Sequence, residues 1–170
     1  MKISPQKLEV TANFLIIVVA VLFGTVLIQK YLFAKNPTSS NEKARVQPVI
    51  GSKMNLSGVN WANQPKTLIL ALQTGCHFCN ESASFYKRII ASVQNKNVQL
   101  IAVFPSGQEE SAAHLNELGL TNLEVKQSPL NRLQVGGTPT LILTNDKGEI
   151  MNYWVGKLTP GKEAEVISQL

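Results

Sequence analysis

Two cysteines stand in the 170-residue chain, in Cys76-His77-Phe78-Cys79. On a helix, this spacing brings both sulfurs to one face, about one turn apart. Such a pair can exchange disulfides. The first cysteine attacks a partner's disulfide as a thiolate, and the second attacks the mixed disulfide and releases the partner. A disulfide-stapled scaffold needs more cysteines than this. A structural zinc site needs four ligands; one C-x-x-C supplies two, leaving His77 or His114 to complete the set.

The elements around the pair favour the redox reading. Residues 67–72 (TLILAL) form an uninterrupted apolar run, the pattern of a strand covered on both faces. The sequence TGCHFCNESASFYKRIIASVQ follows, with Phe78, Phe85, Ile89 and Val93 at helical spacing. Cys76 therefore falls where a strand ends and a long helix begins. Free backbone N–H groups and the positive end of the helix dipole favour a thiolate there. Cys76 is the expected nucleophile and Cys79, one turn deeper, the resolving thiol. His77, if protonated, would stabilise the thiolate and tune the pair. Phe78 is expected to pack on the fold or to offer an apolar docking surface.

Residues 98–104 (VQLIAVF) read as a second buried strand, and Ser106 as the cap of a helix that Gly119 ends. A short strand over 123–127 and a helical turn over 130–133 follow. Residues 140–144 (TLILT) and 150–155 flank NDKG, a hairpin turn by composition. Thr159-Pro160 opens a last helix, with Thr at the cap and Pro at the first helical position. Buried strands alternating with helices imply right-handed crossovers, and the closing hairpin adds antiparallel pairing. The predicted architecture is a three-layer α/β sandwich around a mixed sheet.

A second motif, Val135-Gly136-Gly137-Thr138-Pro139-Thr140, precedes the strand TLILT. With the C-x-x-C after a buried strand, it resembles the thioredoxin superfamily. The resemblance implies a thioredoxin-like fold and a cis Pro139 facing the cysteines. It also implies that the Thr138 backbone pairs with the substrate peptide, and that no cofactor is needed. The extra helix and strand over about 108–127, together with Gly51, Leu56 and Trp61, look like the TlpA-like and redoxin branch. Members of that branch often reduce disulfides during maturation of extracytoplasmic proteins. The implied partners are protein thiols and disulfides. Thr74-Gly75 replaces the Trp usual before the first cysteine, and residues 67–72 lack the acid many relatives bury there. Glu81 is a candidate substitute, although a surface helix position fits it better. Three rival readings remain. A copper chaperone on this fold needs a suitably placed distant His; His114 is expected on the surface. A peroxiredoxin needs a Thr-x-x-Cys setting with a nearby Arg, and only Thr74 is at hand. A thioredoxin-fold binding module would use neither cysteine for turnover.

Residues 14–28 (FLIIVVAVLFGTVLI) carry no charge. Extended to residues 11–34, the stretch is long enough to cross a bilayer, with Lys30 able to reach the interface. A cleaved signal would be shorter and followed by small residues, a pattern that is missing here. The expected organisation is a tail over 1–10, a transmembrane anchor over 11–34, a polar linker over 35–46 and the domain over 47–170. A literal count of lysines would put the domain inside the cell, but large domains translocate despite flanking charge. An extracytoplasmic domain is therefore expected, in the periplasm or its equivalent. The net charge of +5 is scattered, with Lys87-Arg88 the one adjacent basic pair of the domain, so nucleic acid is not an expected partner.

Overall fold

Side chains from both faces of one central strand build two separate cores. The strand is β1 (Lys66–Ala71), in a computed structural model that describes residues 16–19, 21–23, 46–121 and 123–170. Leu68 and Leu70 point into a core with Phe85, Tyr86 and Ile89, while Ile69 and Ala71 point into one with Met54, Leu56 and Leu133. That two-sided burial is why the run TLILA contains no polar alternation.

β1 pairs in parallel with β2 (Val98–Phe104) and antiparallel with β4 (Thr140–Asn145). β3 (Glu124–Gln127) extends the β2 edge in parallel, and β5 (Ile150–Val155) extends the β4 edge as a hairpin partner. The order is β3-β2-β1-β4-β5 in one mixed sheet.

Besides the short helix that carries Cys79, three helices contribute buried residues to the first core. These are α2 (Ala83–Val93), α3 (Gln108–Glu117) and α4 (Pro160–Gln169). Two successive parallel crossovers, β1 to β2 and β2 to β3, step across the sheet in one direction. Their common right hand places α2 and α3 on the same face. Among the described residues, no α-helix covers the opposite face. Met54, Leu56, Trp61 and the 3₁₀ turn Leu130–Leu133 pack there. Trp61 lies so close to Gly148 (φ 73°) that a Cβ at that position would sit 2.9 Å from its ring.

Two local expectations are corrected. The helix after the cysteines is not continuous: α1 (His77–Glu81) and α2 are separated at Ser82, with φ −89° and ψ 1°. The Ser82 hydroxyl donates to the Phe78 carbonyl at 2.8 Å, a back-bond to residue i−4 of the kind that bends helices. The cap of α3 is Gly107, not Ser106; the Ser106 hydroxyl is instead paired with that of Ser111 at 3.2 Å. Gly119 follows α3 with φ 67°, as a helix-ending glycine does.

The predicted anchor lies outside the described residues except at 16–19 and 21–23, which are helical and exposed. The predicted linker lies outside them except at Val46. Among the described residues, no helix is long and apolar enough to cross a membrane.

Candidate active site

Cys76 and Cys79 form a disulfide, with their Cα atoms 5.2 Å apart. The chain reaches them through Leu72, which still donates to Val103 of β2, and then through a tight turn at Gly75 (φ 71°). A Trp would rarely adopt that backbone, so the glycine accounts for one departure from the usual pattern. Thr74 is tied by its hydroxyl to the Glu110 carboxylate of α3.

Cys76 is the N-cap of α1, and its Sγ accepts a hydrogen bond from the Cys79 backbone N–H at 3.1 Å. An N-cap side chain satisfies one of the free donors of the first turn. Here the acceptor is the reactive sulfur itself. Cys76 is half-buried, whereas Cys79 is completely buried in the first core. One sulfur is therefore open to a partner, and the other is reachable through Cys76.

The Thr138–Pro139 peptide bond is cis. The Thr138 carbonyl lies 3.5 Å from Cys76 Sγ; the disulfide has no S–H to donate, so a hydrogen bond can form there only in the reduced thiol. The loop is pinned on both sides. Thr140 donates its hydroxyl to the Gly137 carbonyl at 2.7 Å, and the Gly156 N–H donates to the Pro139 carbonyl at 2.7 Å. The Thr138 N–H has no partner among the described residues.

His77 is exposed, with its imidazole 3.4 Å from the Glu81 carboxylate, and Glu81 also pairs with Lys157 at 3.2 Å. Glu81 is thus a surface residue, as its position suggested. Phe78 is half exposed beside the Gly136–Thr138 backbone. Its neighbours there, Val46, Pro48 and Val155, were missed in the sequence; the nearest signal was the apolar residues of VQPVI, read as linker and domain edge.

His114 corrects an expectation. It is buried rather than on the surface, edge-on to Phe104 with ring centroids 6.0 Å apart, and its Nε2 has no hydrogen-bond partner. Its Nδ1 lies 3.6 Å from the Glu117 carboxylate. Among the described residues, no group of three or more His, Cys, Asp or Glu side chains could hold a metal ion. A second buried polar group is Tyr86, whose hydroxyl lies near Ser82 without a hydrogen bond of normal length. Burial pushes its pKa well above the ordinary tyrosine value.

No protein-family model matches the sequence, and no curated protein matches it. Solved structures do. A candidate DsbE thiol:disulfide interchange protein from Chlorobium tepidum superposes with a TM-score of 0.60 at 18% identity, covering 72% of this chain and 96% of that one. A thiol-disulfide isomerase from Corynebacterium glutamicum gives 0.55 at 17%, covering 73% and 93%. A secreted disulfide oxidoreductase of Mycobacterium tuberculosis, described as homologous to E. coli DsbE, gives 0.52 at 13%, covering 64% and 84%. The chain thus has a thioredoxin-like α/β fold, its structural neighbours are DsbE-type thiol–disulfide oxidoreductases, and it carries a C-x-x-C disulfide.

Proposed function

We propose that this protein is a membrane-anchored thiol–disulfide oxidoreductase that exchanges disulfides with extracytoplasmic protein partners. One observation carries the reading: a half-exposed Cys76 sulfur, bonded to a buried Cys79, caps a helix and faces a free backbone edge at Thr138. In the reducing direction, the Cys76 thiolate attacks one sulfur of a client disulfide, and the client's other sulfur leaves as a thiolate. Cys79, deprotonated, then attacks Cys76 Sγ. The client departs as a dithiol, and the Cys76–Cys79 bond stores the oxidation until an external dithiol reduces it. The oxidising direction runs the same steps in reverse. Thr138 and Pro139 hold the client chain, and His77 tunes the pair. No cofactor enters either direction.

The charge-free residues 14–28 support a single-pass anchor. Replacing Cys79 with Ala tests the whole reading. The variant keeps the nucleophile and loses the exit from the mixed disulfide, so it should accumulate covalent, reductant-sensitive client adducts. No adducts from a Cys76 that still alkylates would refute turnover by exchange. In intact cells, a membrane-impermeant thiol reagent should label the same variant after mild reduction; labelling only after lysis would place the domain in the cytosol.

A further inference from the structure

Resting on that reading, we infer that the site selects clients carrying an apolar side chain within two residues of the exchanging cysteine. Of the large hydrophobic side chains exposed between residues 46 and 170, three converge at one place: Val46 (51% exposed), Phe78 (52%) and Val155 (41%). They come from the strap before β1, from the C-x-x-C itself and from the end of β5. With Pro48 and the backbone of Gly136 and Gly137, they line a groove of about 180 Å³. Exposed apolar surface concentrated in this way marks an interaction site.

The occupant follows from size, charge and position. A cavity of about 150 Å³ takes a benzene ring, so this groove suits one branched or aromatic side chain. None of its lining residues carries a charge, so an acidic or basic side chain would lose hydration without gaining an oppositely charged partner. The groove is continuous with the docking edge, because Thr138 lines it and the Thr138 carbonyl is 3.5 Å from Cys76 Sγ. An extended peptide advances about 3.3 Å per residue. With the client cysteine at Cys76 and the client backbone along Thr138, the side chain reaching the groove is one or two residues away.

The test uses the full chain in lipid nanodiscs with its disulfide intact. Single-cysteine peptides carry Leu, Ala or Glu at the positions flanking the cysteine, and dithiothreitol serves as a reductant without side chains. The expected rates of mixed-disulfide formation favour Leu over Glu by about tenfold, as partial burial of one apolar side chain allows. In Val155→Gln, which removes the apolar contact without adding a charge, that Leu-to-Glu ratio should collapse towards one. Because it is a ratio within one variant, any change in the reactivity of the disulfide cancels. Leu, Ala and Glu peptides reacting within about twofold of one another, while dithiothreitol reduces the disulfide, would overturn the groove and leave the redox reading standing. Selectivity that fades as protein concentration rises would show a second copy covering the groove, and would overturn it too. A disulfide inert to every thiol would overturn both.

Discussion

The hydrogen bond from the Cys79 N–H to Cys76 Sγ, 3.1 Å in the oxidised form, should persist in the reduced protein and hold Cys76 as a thiolate. Cys79→Ala leaves that N–H in place and makes Cys76 the sole thiol. A hydrogen bond to a charged group contributes about 1.5–3 kcal/mol, against about 0.5–1.5 to a neutral one. The helix N-terminus adds about 0.3–1 kcal/mol for an anion. The difference between thiolate and thiol is then about 1.3–2.5 kcal/mol, or roughly tenfold to seventyfold in their equilibrium. An ordinary thiol is about 3% ionised at pH 7, so the folded variant should be between about one-quarter and two-thirds ionised at that pH. Ultraviolet thiolate absorbance is the assay, because alkylation rate understates the effect. Nucleophilicity falls by about threefold for each tenfold gain in acidity. Unfolding the variant in guanidinium should return it to ordinary thiol behaviour. His77→Ala in the same background should lower the thiolate fraction; no change would assign His77 to its surface pair with Glu81 alone. A folded variant only a few per cent ionised at neutral pH would refute the capping argument.

Two further predictions concern the scaffold. Gly148→Ala should cost about 2–3 kcal/mol in chemical denaturation, because a side chain at positive φ costs about 1–2 kcal/mol and the new Cβ meets the Trp61 ring. A loss below about 0.5 kcal/mol would mean that the ring moves aside freely. Tyr86→Phe should be neutral or stabilising by up to about 1 kcal/mol, since it removes a buried hydroxyl without a hydrogen bond. A loss above that range would reveal a bond the hydroxyl makes in solution.

The strands were legible because burial on both faces leaves a continuous apolar run, and β1, β2 and β4 each carry one. The cysteine pair was legible for a different reason: its spacing and its place after a strand already specify a helix-capping thiol. Local interactions that compete with regular patterns were not. The break at Ser82 depends on one hydroxyl choosing the Phe78 carbonyl over solvent, and helical periodicity runs straight through it. The shift of the α3 cap from Ser106 to Gly107 depends on Ser106 pairing with Ser111. His114 sits on a helix whose composition is polar, so nothing in its neighbours announces that Phe104 will cover it. The groove is the clearest case. Val46, Phe78 and Val155 come from three distant segments, and only the folded sheet brings them together.

The two cysteines are three positions apart, and that short span separates the redox state of the protein from its fold. A crosslink stabilises chiefly by shortening the loops available to the unfolded chain. Closing so small a loop removes about 2 kcal/mol of chain entropy, against about 4.7 for a 100-residue loop. The long-range order is carried instead by backbone pairing, with β1 bound to β4 across registers such as Leu68 with Leu143. Opening the disulfide therefore releases little conformational freedom, and the architecture stays closed in either redox state of the pair.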